Sequence, residues 1–468
     1  MNNLYNWNLA ELANACNGKI VKNSEKPLVG FSIDNRKIVN GNVFIAIKGE
    51  NHDGHKFCNT AVASGASAII VSTLPEKLEE INASVIYVED TVKALQQIAN
   101  YYRHSLKNTK FLAVTGSNGK TTTRSMIYHI ISKYHKCQMT EGNFNNHIGL
   151  PLTILGIEPD CEYAILEMGM NHKGEITELC KIAEPDAVAI NGIGPAHIGI
   201  LGSMENIARA KAEIIESLKS ESKIAVYPAY TDFTEIFKEA GKNCKTYSFG
   251  FDIENDFTIH KKELSDGINF SIEHCGKECD CKLNLDGEHN ILNASAAISL
   301  CVALNCCSLN DACSSLADYK PVGARLEKIQ RNGIDIYIDC YNANPASMTE
   351  AIKTLEKCKS PRIAVLGDMR ELGDFSEKYH RQLGEQVAKA GIELLLCVGE
   401  ETKYTISEAK KYGMNEQNAI KLNSDDETAE LLKDNLKKDT TVLFKASRGI
   451  HLEKIIQKLW KDVKLDLH

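Results

Sequence analysis

The most constraining part of the sequence is a glycine-containing turn that joins a short apolar run to a helix. Residues 111–114 read Phe-Leu-Ala-Val, which is typical of a buried strand, and the pattern that follows predicts a helix through Ile131. The connecting segment is Thr115-Gly116-Ser117-Asn118-Gly119-Lys120-Thr121-Thr122. A strand, a tight turn and a helix in this order begin a βαβ unit, so we expect a parallel sheet covered by helices.

The residue types in this turn favour phosphate binding. Gly116 and Gly119 let the backbone turn tightly and bring N–H groups toward a phosphate, and the helix N-terminus adds the positive end of its dipole. In such a loop Lys120 reaches the terminal phosphates and the Thr121 hydroxyl can hold Mg²⁺. The strict form of the motif has glycine where this chain has Val114. We therefore interpret the turn as a shortened phosphate-binding loop.

The length of the chain predicts more than one domain. At ~100–200 residues per domain, 468 residues correspond to about three. A polar stretch at 107–110 and a turn-rich junction at 320–323 supply the boundaries. The predicted domains are residues 1–108, 109–320 and 321–468.

Each predicted domain is of the α/β class, because strand-like and helix-like segments alternate along the chain. The middle one is predicted to contain a doubly wound, mostly parallel sheet, in which residues 245–285 interrupt the alternation with strand-like segments. The third is a smaller α/β domain with its own sheet. Its predicted strands are Ile334–Ile338, Ile363–Leu366, Leu394–Val398 and Thr441–Phe444.

Charge and hydropathy exclude several classes of protein. A formal net charge of −8 argues against general affinity for nucleic acid or anionic membranes, which requires clustered positive charge. No apolar run approaches the ~20 residues that span a bilayer, and the N-terminus does not resemble a signal peptide. We expect a cytoplasmic protein without stable membrane insertion.

The cysteines are expected to be reduced thiols. The chain has 16 of them, scattered along its length, and most should be buried as small hydrophobic side chains. His274, Cys275, Cys279 and Cys281 form the one cluster that could be a zinc site. Their spacing matches no paired C-x2-C arrangement, so we predict a strand hairpin with Gly276 at its bend instead.

Several motifs, taken together, resemble one family. The shortened phosphate loop is similar to that of the Mur ligases, whose relatives include the folylpolyglutamate synthases. The other matching segments are residues 32–36 (Ser-Ile-Asp-Asn-Arg), 41–46, 53–55, 142–151, 167–176 and 367–373 (Gly-Asp-Met-Arg-Glu-Leu-Gly). They cover nearly the whole chain and occur in the family's order.

The resemblance implies a fold and a reaction. It implies a small N-terminal UDP-binding domain, a central phosphate-loop domain and a C-terminal Rossmann-like ligase domain. Segments 142–151, 167–176 and 367–373 resemble the member that adds D-alanyl-D-alanine to UDP-N-acetylmuramoyl-tripeptide in peptidoglycan precursor synthesis. That reaction uses ATP and Mg²⁺ and proceeds through an acyl phosphate. We expect a monomer that binds these two substrates and no nucleic acid.

The resemblance also implies a nucleotide site and a metal site. ATP would contact the loop residues Gly116, Ser117, Asn118, Gly119, Lys120, Thr121 and Thr122, together with Asn290, Arg325 and Asp339. Mg²⁺ would be held by Thr121, Glu167, His197 and Lys211, the last as a carbamate formed by uptake of CO₂. Lys120, Glu167, His197 and Lys211 are the expected catalytic residues.

The remaining implied residues contact the other substrates. They are Ser32, Asp34, Arg36, Asn145, Asn146, Tyr341, Asn342, Asn344, Lys445 and Arg448. Of these, Lys445 and Arg448 resemble a late loop of the family, where a pair of cations could hold a substrate carboxylate.

Three alternatives remain beside this interpretation. The neighbouring ligase that adds diaminopimelate or lysine usually carries an Asp-Asn-Pro-Arg motif, which this chain does not have at the expected position. A folylpolyglutamate synthase lacks the separate N-terminal domain. A regulatory module with an inactive ligase site would be expected to have lost some of the residue types named above, and none is replaced.

Overall fold

A computed structural model describes residues 5–49, 52–262, 268–285, 287–320 and 327–463. It confirms the α/β class, and the strands of the described residues form a large mostly parallel sheet, a smaller sheet on either side of it in the sequence and a two-stranded sheet near the N-terminus. The limits of the three domains stay a prediction. Within the described ranges, no helix has both the length and the apolar character that crossing a membrane requires.

The N-terminal part of the chain is built around a short sheet. Its strands are β1 Asn6–Trp7, β2 Lys19–Lys22, β3 Leu28–Val29, β4 Phe31–Ser32, β5 Val43–Ile45, β6 Ala68–Val71 and β7 Ser84–Tyr87. Its helices are α1 Leu9–Ala15, α2 Cys58–Ala63 and α3 Thr91–Ser105. The main sheet has the order β2-β7-β6-β5-β4, and all its pairs except β2–β7 are parallel.

The central part contains the large sheet. Its strands are β8 Lys110–Thr115, β9 Cys137–Met139, β10 Tyr163–Glu167, β11 Ala187–Ile190, β12 Ile224–Pro228, β13 Lys245–Gly250, β14 Phe257–Lys261, β15 Ile268–His274 and β16 Lys277–Leu283. Its helices are α4 Lys120–Ile131, α5 Gly149–Leu155, α6 Glu175–Ala183, α7 Ile198–Leu201, α8 Met204–Glu216, α9 Thr234–Ala240, α10 His289–Ala303 and α11 Leu309–Ser315.

The strand order of this sheet puts the phosphate loop at its centre. The order is β16-β15-β14-β13-β12-β11-β8-β10-β9, so β8 lies between β11 and β10. These strands are parallel, and their buried apolar residues match what a sheet covered on both faces requires. The loops that follow β8, β10 and β11 therefore meet at one edge, where ligands of open α/β sheets bind.

The predicted interruption of the alternation at residues 245–285 is confirmed, because β13, β14, β15 and β16 follow one another in the described residues without an intervening helix. β13 and β14 still pair in parallel with the rest of the sheet, and the direction reverses only at β15. The predicted hairpin is confirmed: β15 and β16 pair antiparallel from Ile268 to Leu283. Its bend contains Cys275 and Gly276, both with positive φ.

The C-terminal part has a sheet of its own. Its strands are β17 Glu327–Arg331, β18 Ile334–Asp339, β19 Arg362–Gly367, β20 Leu394–Val398, β21 Ala419–Leu422 and β22 Thr441–Lys445. Its helices are α12 Pro345–Glu356, α13 Ser376–Lys389, α14 Thr402–Lys411, α15 Asp425–Asn435 and α16 Glu453–Leu459. The order is β17-β18-β22-β19-β20-β21, and only β17 among these strands runs antiparallel to its neighbour.

The three parts of the chain are joined by unequal amounts of apolar surface. One continuous core contains residues of α3, such as Leu95 and Tyr102, together with Leu150 and Leu179 of the central part. The guanidinium of Arg103 also donates to the carbonyls of Ala183 and Glu184 at the end of α6. The N-terminal part is thus fixed to the central part by a shared core and by polar contacts.

The C-terminal part shares much less apolar surface with the rest of the chain. From the central part, the core cluster that includes Met369 and Leu372 takes in the buried residues Ile198 and Ile207. The partly buried side chains of Ile193, Leu201 and Met204 also pack against this cluster.

Candidate active site

The phosphate loop is fastened to the segment that follows β11. β8 ends at Thr115 and α4 begins at Lys120, with Gly119 in the left-handed region at φ +71°. The Ser117 amide donates to the Gly192 carbonyl (3.0 Å), and its hydroxyl donates to the Gly194 carbonyl (2.9 Å). These two hydrogen bonds hold the loop against the segment that follows β11 and require no bound ligand.

Glu167 is buried beside this loop. It ends β10 in register with Val114 of β8, and it is 1% exposed. Thr121 Oγ1 donates to its Oε2 (2.8 Å), and Asn145 Nδ2 donates to its Oε1 (2.8 Å). A buried carboxylate needs such donors. The structure thus brings together two residues that the sequence assigned to the metal, Thr121 and Glu167, and one that it assigned to the substrate, Asn145.

Sequence reasoning missed Arg124, which also contacts Glu167. Its Nη1 lies 3.1 Å from Glu167 Oε2, and both side chains are 1% exposed. Arg124 lies three residues after Thr121 on α4, so both side chains reach the same carboxylate from one helix face. No local signal marks Arg124, because it lies in the polar first half of α4, between Thr123 and Ser125, where an arginine is expected to be solvated.

The oxygen atoms of this cluster fit a divalent cation. The hydroxyl of Thr121 and the carboxylate of Glu167 are hard ligands at the mouth of the phosphate loop, and Mg²⁺ is usually bound by one or two carboxylates together with substrate phosphates. In the part of the chain that the structure describes, no group of three or more His, Cys, Asp or Glu side chains comes together as a metal cage.

Lys211 is buried in the same region. It lies on α8 and is 1% exposed. Burial lowers the pKa of its amine well below the usual value, and the nearby charge of Lys120 lowers this pKa further. Two residues later, Glu213 accepts hydrogen bonds from the backbone amides of Gly174 and Thr177. This contact fixes α8 against the start of α6.

His197 and Asn118 contact the C-terminal part of the chain. His197 Nδ1 lies 2.6 Å from Glu371 Oε2, and the His197 ring lowers the pKa of that carboxyl. The Glu371 carbonyl accepts from the Gly199 amide (3.1 Å). Asn118, in the phosphate loop, accepts a hydrogen bond from the side chain of Asn344, which also caps α12. The C-terminal part thus contacts the phosphate loop through Asn344 and the segment after β11 through Glu371.

Lys445 is not placed as the sequence suggested. We expected it to face a substrate carboxylate with Arg448, but it is 1% exposed and its Nζ lies 2.5 Å from Asp339 Oδ2. The two residues end the adjacent strands β22 and β18 in register. Its Nζ also donates to the carbonyl of Asn342 (3.1 Å). The charge of Lys445 is therefore neutralised within the protein, next to a carboxylate that we had assigned to ribose.

The other C-terminal residues are more accessible. Arg448 is exposed and donates to Glu453 (3.0 Å), Asn342 is exposed, and Tyr341 is half-buried. Arg325 lies outside the described residues.

The N-terminal candidates form a local group. Asp34 accepts from the Arg36 guanidinium at 2.9 and 2.8 Å, and this contact lowers the pKa of Asp34 to about 2. The Ser32 hydroxyl donates to the Asp34 carbonyl. In the described ranges, no hydrogen bond joins these residues to the phosphate loop. Asn146 accepts from the amides of Ile148 and Gly149 and so starts α5, which gives it a structural role.

The remaining loop residues and Asn290 surround the same edge of the sheet. Asn290 lies in the first turn of α10 and is 8% exposed. It is linked to the phosphate loop through Asn293 and Asn191, two buried carboxamides that the sequence did not single out.

Comparison with known proteins identifies relatives over the full length of the chain. Family models described as the Mur ligase family catalytic domain, the Mur ligase middle domain and the Mur ligase glutamate ligase domain match residues 28–103, 114–301 and 324–448. The UDP-N-acetylmuramoyl-tripeptide–D-alanyl-D-alanine ligase of Bacillus subtilis is 38% identical over 92% of this chain and 93% of its own length.

Solved structures show the same similarity. A crystal structure of MurF from Acinetobacter baumannii is 31% identical, covers 98% of this chain and 100% of that one, and superposes with a TM-score of 0.88. The MurF ligase of Thermotoga maritima in complex with ADP is 29% identical, covers 92% and 97% of the two chains and has a TM-score of 0.78.

The contact between Arg124 and Glu167 predicts a non-additive effect on stability. Arg124→Met removes a cation from a buried carboxylate and should destabilise the protein by roughly 3–5 kcal/mol. Adding Glu167→Gln removes the charge left behind, so the double variant should regain much of the loss. Thermal unfolding of the two single variants and the double variant measures this. A double variant no more stable than Arg124→Met would contradict the pairing.

Proposed function

This chain belongs to the Mur ligase family, and from that premise we propose that it is the ATP-dependent ligase that joins D-alanyl-D-alanine to UDP-N-acetylmuramoyl-tripeptide. The reaction belongs to the synthesis of peptidoglycan precursors. The observation that carries the proposal is the buried Glu167 carboxylate, hydrogen-bonded to Thr121 of the phosphate loop, at the edge where the C-terminal part docks through Asn344 and Glu371. The similarity to the Bacillus subtilis ligase over 92% of the chain supports the substrate assignment.

The proposed chemistry has two steps. A carboxylate oxygen of the tripeptide attacks the terminal phosphorus of ATP, the bond to the bridging oxygen breaks, and ADP leaves. The amine of D-alanyl-D-alanine then attacks the carbonyl carbon of the acyl phosphate. The tetrahedral intermediate expels phosphate and loses a proton, which leaves the amide. Both steps depend mainly on positioning and on neutralising charge.

The phosphate loop supplies the first part of that positioning. Its backbone N–H groups and the start of α4 face the phosphates, and Lys120 reaches toward the terminal ones. Asn290 would bind the adenine edge. Asp339 and Arg325 would bind the ribose and the phosphates from the C-terminal side. The ion pair of Asp339 with Lys445 keeps that carboxylate in a fixed position.

Mg²⁺ fits beside this loop. We assign Thr121 and Glu167 as the residues that hold it, with His197 and carbamylated Lys211 as further ligands. When bound, the ion offsets the charge that develops on the transferring phosphoryl group. Arg124 and Asn145 keep the Glu167 carboxylate oriented through its two oxygens.

The amine of Lys211 is suited to carbamylation. Only the neutral amine adds CO₂, and burial favours the neutral form of this side chain. The product is an anionic oxygen ligand plus one proton. The change would turn a buried amine, which would repel Mg²⁺ when protonated, into a group that binds it.

The contacts of the C-terminal part support a closing step. Asn344 and Glu371 bring the C-terminal loops against Asn118 and His197. The loops with Tyr341, Asn342 and Arg448 would then face the bound acyl phosphate and the incoming dipeptide. Such closure excludes water, which would otherwise hydrolyse the intermediate.

The substrate with the UDP group would bind between the N-terminal and central parts. We assign Ser32, Asp34 and Arg36 to its nucleotide end, and Asn145 and Asn146 to the part near the reacting carboxylate. We place the reaction in the cytoplasm and expect a monomer.

The proposed reaction predicts dependence on both substrates. Phosphate release from ATP should require UDP-N-acetylmuramoyl-tripeptide and D-alanyl-D-alanine together, measured with each component omitted in turn. The matched comparison uses UDP-N-acetylmuramoyl-dipeptide with free diaminopimelate or lysine. Turnover with that second pair alone would assign the chain to the neighbouring ligase of the family.

The carbamate predicts a specific rescue. Lys211→Ala should be nearly inactive, and a small carboxylic acid such as acetate should restore part of the rate by occupying the vacated ligand position. Lys211→Arg should remain inactive, because it keeps the positive charge and does not take up CO₂. Initial rates across an acetate series measure this. An active Lys211→Arg together with no effect of acetate on Lys211→Ala would contradict the carbamate.

A further inference from the structure

The underside of the phosphate loop packs on two buried carboxamides, those of Asn191 and Asn293. Asn191 directly follows β11 and is 2% exposed, and Asn293 lies on α10 and is 5% exposed. Asn191 Nδ2 donates to the Asn118 carbonyl oxygen (2.6 Å) and to Asn293 Oδ1 (3.0 Å). The backbone of the loop is thereby connected to a strand and to a helix through side chains that do not reach the solvent.

Each glycine of the loop faces one of these carboxamides. A Cβ atom at Gly116 would lie 1.7 Å from Asn191 Oδ1, and one at Gly119 would lie 2.1 Å from Asn293 Oδ1. Atoms do not approach this closely, so the two glycines are needed for contact with the carboxamides as well as for the turn. Asn191 and Asn293 therefore determine how far the loop backbone sits from the sheet and from α10.

The hydrogen bonds of these carboxamides extend from the loop to the proposed adenine site. Asn293 Nδ2 donates to Asn290 Oδ1 (3.1 Å), while Asn293 Oδ1 also accepts from the Thr123 hydroxyl (3.3 Å). The oxygen of the Asn290 carboxamide is thus directed toward Asn293. The chain of contacts runs from the Asn118 carbonyl through Asn191 and Asn293 to Asn290.

One buried atom of this network, the Oδ1 of Asn191, lowers the stability of the folded protein. Asn191 Oδ1 is buried and accepts no hydrogen bond from the described residues. A buried oxygen without a donor costs about 1–3 kcal/mol. The position is occupied by a carboxamide because its Nδ2 group serves acceptors from two directions at once, which an apolar side chain would leave unsatisfied.

We propose that Asn191 and Asn293 are positioning residues that couple base recognition to the geometry of the phosphate loop. Asn191 holds the loop in the shape that receives phosphates, and Asn293 fixes the carboxamide of Asn290 in the orientation that receives the base. The role of Asn290 rests on the proposed function. The hydrogen bonds that provide the coupling lie within the protein and form without a ligand.

Two isosteric substitutions separate these roles. Asn191→Asp replaces the Nδ2 donor with an oxygen that faces the Asn118 carbonyl and Asn293 Oδ1, so the loop should be pushed away. Asn293→Asp keeps the oxygen that accepts from Asn191 and Thr123 and replaces the donor to Asn290 with a second carboxylate oxygen, which also brings a negative charge. Neither change alters side-chain volume, so neither opens a cavity.

The experiment combines hydrogen exchange of the loop amides with calorimetric titration of ADP in the presence of Mg²⁺. In Asn191→Asp the amides of residues 116–119 should exchange at least about 10-fold faster in the ligand-free protein, and ADP should bind at least about 10-fold more weakly. In Asn293→Asp the exchange of these amides should stay as in the unchanged protein, while ADP affinity still falls about 10-fold. Asn206→Asp is the matched control, because Asn206 Nδ2 also donates to a backbone carbonyl, that of Leu201, but at an exposed position. It should change neither quantity.

Each outcome decides a different point. Unchanged loop exchange in Asn191→Asp would overturn the role of Asn191, and unchanged ADP affinity in Asn293→Asp would overturn the coupling. If Asn191→Asp does not fold, Asn191→Ser keeps one donor and should give faster loop exchange in a folded protein; normal exchange would count against the proposal. Failure of the unchanged protein to bind ADP would instead contradict the proposed function.

Discussion

The burial of one carboxylate organises this site. Glu167 is 1% exposed at the end of β10, and an ionised group in that position must be surrounded by donors and by positive charge. The parallel pairing of β8 with β10 brings the phosphate loop level with it, so Thr121 and Arg124 of α4 reach one oxygen while Asn145 reaches the other. The same alignment places the Glu167 oxygens beside the expected position of the nucleotide phosphates. Strand register, helix position and the proposed chemistry all depend on this arrangement.

The unequal attachment of the terminal parts suits a ligase that must bind three substrates. The N-terminal part shares a continuous apolar core with the central part, so the two should move together. The C-terminal part meets the phosphate loop through a hydrogen bond of Asn344, and it meets the segment after β11 through the ion pair of Glu371 with His197. Polar contacts of this kind can be broken and remade at low cost, because water replaces them when the surfaces separate. Opening would admit substrates, and closing would protect the acyl phosphate from hydrolysis.

Local features of this protein could be predicted from the sequence, and distant pairings could not. The phosphate loop follows from residues that are adjacent in the chain, and the parallel strands follow from short apolar runs separated by helices. In contrast, Lys445 pairs with Asp339 across 106 residues. The sequence alone assigns each of these side chains to a bound ligand and does not indicate that they contact each other. The strand β21 and the helices α14 and α15 were not predicted, because their many polar residues obscure the regular spacing of their apolar residues. The contact of Arg124 with Glu167, 43 residues apart, and the contact of Asn191 with Asn293, 102 residues apart, are visible only in the fold.

The claim at the centre of this account is that the site moves the terminal phosphoryl group of ATP onto the carboxylate of the tripeptide. Labelling both oxygens of that carboxylate with oxygen-18 tests it directly, because the acyl phosphate carries one labelled oxygen into the phosphate that the amine later expels. Mass spectrometry of the products should find one labelled oxygen per molecule of inorganic phosphate, and none in ADP. Phosphate without label, or label found in AMP, would contradict the account.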